Sequence, residues 1–264
     1  TPDPIEEIDY TANGPFSVSE NESSVAVSSC TVNYRQYTPN SISNPVTLIL
    51  GHGFQRSGSN MLDFGAHIAS YGVEVLVLDL CHSSVFGGVD HALNGTDMVQ
   101  VATAVGATEV IYAGQSAGGL SAVVAASQDS NAIGVIGLDP TDANDLGLGY
   151  ASSVSVPALG LVGVPSNCNS NNNGIAMYSA VPNSYVRRVT DADHCDFEAP
   201  TNWVCDLACT NTSASLSDST IRSTVLQLFT SGVVWLAQED PSAESWWLGD
   251  GFFKLAYDGL VSTP

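Results

Sequence analysis

Ile111-Tyr112-Ala113-Gly114-Gln115-Ser116-Ala117-Gly118-Gly119-Leu120 is the stretch whose reading decides the fold. The apolar run Val110 to Ala113 predicts a buried parallel strand, because a strand covered on both faces has no polar side to alternate. It ends in Gly-Gln-Ser-Ala-Gly, a G-x-S-x-G pattern, and the small-residue run Ser121 to Ser127 predicts a helix. A serine between such a strand and helix sits on a strained turn with its hydroxyl exposed. The flanking glycines are needed because a Cβ there would collide with the strand or helix beside the turn. The helix N-terminus brings unpaired N–H groups and a partial positive charge to the place where an oxyanion would form. Ser116 is therefore the candidate nucleophile, and the Ala117 N–H a candidate oxyanion donor.

A chain of 264 residues, 44% of them hydrophobic, is long and apolar enough for one large α/β domain over residues 1–264. No apolar run reaches the roughly 18 residues that a membrane span needs. The formal charge is −21, from 27 acidic against 6 basic residues. Such a surface repels nucleic acid and anionic membranes. It fits a saline or cold habitat, or simply an acidic secreted protein. Thr1 opens the chain without a methionine or signal peptide, as expected of a processed or trimmed product. Cys30, Cys81, Cys168, Cys195, Cys205 and Cys209 are an even set, which points to an exported protein with up to three disulfides. The pairing is open among about fifteen possibilities. Zinc is the rival use of Cys195, Cys205 and Cys209, disfavoured because no C-x-x-C spacing is present.

Outward from the central stretch, strand and helix signals alternate from residue 46 to 237. Strands are expected at Val46–Leu50, Val73–Leu80, Glu109–Ala113, Ala132–Leu138, Ala158–Val164 and Tyr185–Val189. Helices are expected at Asn60–Ser70, Asp90–Val105, Ser116–Ser127 and Ser219–Ala237, the last capped by Asp218. This alternation predicts a doubly wound, mostly parallel sheet. Val25–Val27 and Thr31–Tyr37 read as an antiparallel edge, and residues 1–24 as a loose, acidic arm. Fewer than about twenty residues separate the strands at 132–138 and 158–164, which leaves no room for a large cap. The segment 239–264 carries Trp246, Trp247, Phe252, Phe253 and Tyr257, too many aromatics to lie free in water, so it should pack on the domain.

A serine hydroxyl needs a base to take its proton, usually a histidine held by a carboxylate. After an elbow serine these follow in the order acid, histidine. His194 is the sole histidine after Ser116, in a loop after the last expected strand, and is the candidate base. The acid most often follows the next-to-last strand, but Pro165 to Gly174 contains no Asp or Glu. One strand earlier, Leu138-Asp139-Pro140 places a carboxylate at a strand tip. Neighbouring strands lie about 4.8 Å apart, a shift that a longer reach by the histidine loop can absorb. Asp139 is the preferred acid and Asp142 the alternative. Asp191, Asp193 and Asp196 lie too near His194 in sequence to orient it and are read as shaping its loop. Calcium at Asp139, Asp142 and Asp145 is a weaker reading, since the loop lacks a central glycine. His82 lies at a strand's C-terminal end, where ligand loops gather, and is a candidate substrate contact. Gln115, beside the nucleophile, is another. His52 is read as a packed loop histidine without a proton-transfer role, and His91 as a surface residue.

At these residues the chain resembles the α/β-hydrolase superfamily, over roughly residues 30 to 237. Gly51-His52-Gly53-Phe54, the Gly114 to Gly119 elbow and Gly137-Leu138-Asp139-Pro140 are together similar to chlorophyllase-like and bacterial polyester hydrolase or cutinase-like serine esterases. The resemblance implies the α/β-hydrolase fold and carboxylic-ester hydrolysis. It implies the Phe54 N–H as second oxyanion donor with the Phe54 ring as a pocket wall, and it favours Asp139 as acid. Ala117 stands where chlorophyllases typically carry Arg and polyester hydrolases Met, so the ester is not fixed. The expected function is a secreted (or periplasmic) esterase on short-chain or polymeric esters, monomeric, with no metal or organic cofactor. A chlorophyllase-like or lipase activity on long hydrophobic esters is the alternative. A catalytically silent binding protein on the same fold is the alternative of another class.

Overall fold

The computed structural model describes residues 8–41, 45–238 and 240–264. In chain order, β1 (Val18–Ala26) and β2 (Thr31–Pro39) are followed by β3 (Val46–Gly51), α1 (Leu62–Ala69) and β4 (Glu74–Leu78). A small hairpin of β5 (Ser83–Ser84) and β6 (Gly88–Val89) precedes α2 (His91–Ala104). Then come β7 (Glu109–Gln115), α3 (Ala117–Gln128), β8 (Ala132–Leu138), α4 (Leu146–Ala151), β9 (Ala158–Val162), α5 (Gly174–Ser179) and β10 (Ser184–Val189). The chain ends with α6 (Trp203–Cys209), α7 (Asp218–Gln238), α8 (Pro241–Leu248), α9 (Asp250–Tyr257) and β11 (Val261–Ser262).

Among the described residues, nine strands form one sheet in the order β1-β2-β4-β3-β7-β8-β9-β10-β11. The run from β4 to β10 is parallel, and the edges β1–β2, β2–β4 and β10–β11 are antiparallel. The molecule is thus an α/β protein with a mostly parallel central sheet. Strands in its centre are apolar on both sides because both sides are covered. In β7, Ile111 and Ala113 face the core built with α1, α7 and α8, while Val110 and Tyr112 face the core built with α2, α3 and α5. Only α4 and its loops separate β8 from β9.

The N-terminal end of the chain differs from the sequence expectation. The first strand starts at Val18, inside the segment read as a loose arm. Its side chains are almost all exposed, so it has no apolar alternation to announce it. What holds it is backbone pairing with β2 from Val18↔Pro39 to Ala26↔Thr31, with Arg35 of β2 ion-paired to Glu20 and Glu22. Before it, Tyr10 is buried and its N–H donates to Gln227 of α7 at 2.9 Å. Residues 1–7 lie outside the described residues, as does Glu239 at the start of the expected tail. The rest of the tail forms α8, α9 and β11. Trp246 and Trp247 are buried, and the Trp247 indole N–H donates to the Leu228 carbonyl at 3.1 Å. Phe253 and Tyr257 face solvent, because the inner face of α9 is filled by Gly251 and Leu255.

This difference is testable by urea denaturation. Trp247→Ala should cost about 3–5 kcal/mol, the usual loss for a fully buried large aromatic. Tyr257→Ala, 92% exposed, should change stability by no more than about 0.5 kcal/mol.

Candidate active site

The sheet order reverses between β3 and β7, since β3 leads to β4 on one side and β7 lies on the other. In open α/β sheets this crevice, at the C-terminal ends of the strands, is where ligands sit. β3 and β7 pair in register as far as Gly51↔Gly114. The loop after β3 and the turn after β7 therefore leave the sheet side by side. Ser116 is that turn, with φ 55° and ψ −124°, a backbone state worth of order 1–3 kcal/mol of strain. Close packing around the turn holds the strain in place. A Cβ on Gly114 would lie 2.3 Å from the Gly118 carbonyl carbon, and one on Gly118 would lie 2.5 Å from the His52 carbonyl oxygen. The Ser116 N–H donates to the Leu138 carbonyl at 2.9 Å, which ties the turn to the tip of β8.

Asp139 follows Leu138 directly and is fully buried. Its Oδ2 accepts from His194 Nδ1 at 2.6 Å. Its Oδ1 accepts from the Gly163 N–H at 2.9 Å, and the Asn169 amide donates to Oδ2 at 3.1 Å. Arg188 of β10 donates to the Gly163 carbonyl at 2.9 Å, which holds on its other side the residue whose N–H reaches the acid. The segment after β9, where a triad acid was first sought, thus supplies donors to an acid on β8. Asp142 is placed elsewhere: its carboxylate accepts from Gly147 N–H at 2.8 Å and Leu148 N–H at 2.9 Å, holding the first turn of α4. Asp139 and not Asp142 is the carboxylate that meets His194.

His194 opens a short 3-10 turn, His194–Phe197, after β10. Asp193 accepts from Cys195 N–H at 2.8 Å and Asp196 accepts from Asp193 N–H at 2.9 Å. Arg222 of α7 pairs with Asp196 at 3.2 Å. Burial pushes the Asp196 carboxyl up to about 6, against the pull of its hydrogen bonds and of Arg222. Asp191 accepts from Ser215 N–H at 2.7 Å. These aspartates shape the loop, as expected of them. Cys195–Cys205 and Cys168–Cys209 tie α6 both to this turn and to the loop after β9, while Cys30–Cys81 closes the opposite end of the rim. The Cys195, Cys205 and Cys209 sulfurs lie within 4.8 Å of one another, but all three are spent in these disulfides and are no zinc ligands.

Gly53 lies against the candidate nucleophile: a Cβ there would meet Ser116 Cβ at 3.0 Å. The next N–H groups are committed, Gln55 to the Ser83 carbonyl at 2.8 Å and Arg56 to the Gly53 carbonyl at 3.2 Å. The Ala117 N–H is the first of α3 and has no acceptor within that helix. The Phe54 ring is partly exposed. His52 is packed: Nδ1–H donates to the Gly53 carbonyl at 2.8 Å and Nε2 accepts from Leu80 N–H at 3.0 Å. Burial lowers its pKa. The uncharged ring therefore clamps the Phe54 loop to the end of β4.

Two candidate contacts have other partners. His82 Nε2 lies 3.0 Å from Ser29 Oγ and 3.6 Å from Asp97, so it joins the β1–β2 turn to α2. His91 is half-buried at the start of α2, not a surface residue. Gln115 is buried and its amide Nε2 lies 3.2 Å from His194 Nε2 and 3.3 Å from the His194 carbonyl. Ser116 Oγ lies 3.3 Å from Thr141 Oγ1. Sequence reading missed Asn169 and Thr141. Asn169 sits in an asparagine-rich loop, and nothing in the chain distinguishes it from its neighbours. Thr141, two residues past the acid, is signalled only by its place in Asp-Pro-Thr-Asp. Compared with models of known protein families the chain matches none, and a search of curated proteins finds no match either.

Asn169→Ala should leave the buried Asp139 carboxylate and the Val164 carbonyl each short of a donor. The expected loss is about 1–3 kcal/mol of stability, read as a lower urea midpoint with an unchanged slope.

Proposed function

We propose that the chain is a secreted serine carboxylic-ester hydrolase of the α/β-hydrolase fold. The observation that carries this reading is the 2.6 Å contact between His194 Nδ1 and the buried Asp139, next to a strained Ser116 turn at the switch point. In this reading Asp139 holds the imidazole and stabilises its cation. His194 Nε2 takes the Ser116 proton as Oγ attacks the ester carbonyl. The N–H groups of Phe54 and Ala117 hold the oxyanion, since preorganised backbone donors aimed at developing charge need no reorganisation as it forms. His194 then protonates the leaving alcohol, and water attacks the acyl-enzyme by the same path. The chemistry requires no metal or organic cofactor. Export agrees with three disulfides, a pairing rare in reducing compartments. Among the described residues no helix is long and apolar enough to cross a membrane.

The substrate class is short-chain or polymeric esters, and the rim favours a polymeric one. Phe54 follows β3, and Val85, Phe86 and Val89 sit on the β5–β6 hairpin that is bonded to the same loop through Gln55. Trp203 and Leu207 lie on α6, which is stapled beside His194. Phe86 is 97% and Trp203 72% exposed. All follow C-terminal strand ends, so they stand on the rim that carries Ser116. Exposed apolar side chains grouped on one rim mark a contact surface for an apolar partner, here a solid polyester or cutin-like film.

Turnover of a nitrophenyl ester series tests the reading. Ser116→Ala and His194→Ala should each lower kcat by about 10^4 or more, and Asp139→Asn by about 10^4. Asp142→Asn should stay within about threefold, because its role is to hold α4. Equal rates for wild type and Ser116→Ala would overturn the proposal. On polyester film, Phe86→Asp with Trp203→Asp should lower hydrolysis by about tenfold or more while soluble-ester turnover stays within about twofold.

A further inference from the structure

The described contacts divide the expected triad in two. Asp139 and His194 are joined, but the nucleophile is not joined to the base. His194 Nδ1 is committed to Asp139, so Nε2 holds the one lone pair that can take a proton from Ser116. The Gln115 amide stands at that lone pair, 3.2 Å away, and is braced by a second contact to the His194 carbonyl at 3.3 Å. Ser116 Oγ is turned to Thr141 Oγ1 instead.

A second observation concerns the other end of the same amide. Gln115 Oε1 is buried and has no hydrogen-bond partner. It lies in the space beside the Gly53 backbone, where a Cβ would come within 2.2 Å of it. A buried carbonyl oxygen without a donor makes this side-chain position less favourable than its two N–H contacts suggest. The amide is therefore held at one end and unsatisfied at the other, next to the path by which an ester carbonyl would reach Ser116.

We propose that Gln115 is a positioning residue that latches the base: its amide occupies His194 Nε2 in the resting protein and is displaced when substrate enters. This rests on the esterase reading above. Two donors, the Gln115 N–H and the Ser116 O–H, compete for a single lone pair. While the amide holds it, the serine keeps its proton. Other charged groups near the ring are Asp139 from the β8 loop, Asp193 and Asp196 on its own turn, Arg222 through Asp196, and Arg188 through the Gly163 carbonyl.

The test compares wild type with Gln115→Met, which keeps the length of the side chain and removes its N–H. The first readout is the rate of phosphonylation of Ser116 by a small fluorophosphonate, taken for both proteins over the same pH series. It should rise by about tenfold in the variant. The second readout is the nitrogen NMR shift of His194 Nε2 in S116A and S116A/Q115M, independent of turnover. It should move when the hydrogen bond from the amide is gone. Gln115→Asn, one methylene too short to reach the ring, replaces Gln115→Met should the latter misfold and is expected to behave alike. Equal or slower labelling with an unmoved Nε2 resonance would overturn the latch while leaving the esterase reading intact. Failure of the reagent to label Ser116 in either protein would overturn both.

Discussion

A carboxylate without access to water, at the tip of β8, governs the whole C-terminal rim. Burying an ionised group is costly unless donors meet it, and breaking such a set costs several kcal/mol because the charge is left alone. Asp139 is met by three: a backbone N–H from the end of β9, a side-chain amide from the loop beyond it, and an imidazole from the loop after β10. Two of the donors come from the connection after β9 and one from the connection after β10. The need to satisfy one carboxylate therefore draws both loops to the tip of β8, and the imidazole is oriented as a consequence.

The strain at Ser116 belongs to the same construction. Its N–H reaches back to Leu138, the residue before the acid, so the turn and the acid share one backbone link. Glycines at 114 and 118 let strand, turn and helix approach more closely than any side chain would permit. A rigid base of this kind suits the proposed acyl transfer, in which misplacement of about 1 Å is costly. Above it the rim is held by covalent links: α6 is tied to both the acid-supporting loop and the histidine turn. The exposed Trp203 and Leu207 are thereby fixed relative to the site, which agrees with a surface that meets an insoluble substrate.

His52 and Gln115 show how side chains next to a reactive centre divide their work. The imidazole of His52 is locked as an uncharged clamp with both nitrogens used. The amide of Gln115 uses its donors on His194 and leaves its acceptor empty. A satisfied group stabilises one geometry, whereas a half-satisfied group is more readily displaced. In the proposed site the first belongs to the scaffold of the expected oxyanion loop and the second is the proposed moving part.

Much of the architecture was legible in the chain because it depends on local pattern. Apolar runs of strand length, the glycines around Ser116 and the lone downstream histidine are statements about neighbours in sequence, and strand and helix alternation implies a parallel sheet. What is polar and exposed was not legible. β1 is held by backbone pairing and leaves no side-chain signature, and the outward turn of Phe253 and Tyr257 depends on which face of α9 finds a neighbour. The choice of Asp139 over Asp142 was only a preference until the register Gln115↔Leu138 and the reach of the β10 loop set one carboxylate beside the imidazole and the other beneath α4. The support from Asn169 and the capping of His194 by Gln115 join residues 30 and 79 positions apart, and no local pattern encodes such contacts. The sequence by itself determined which kinds of groups and which class of fold were present. Tertiary structure alone decided which of them touch, because hydrogen bonds act over about 3 Å in space whatever the distance along the chain.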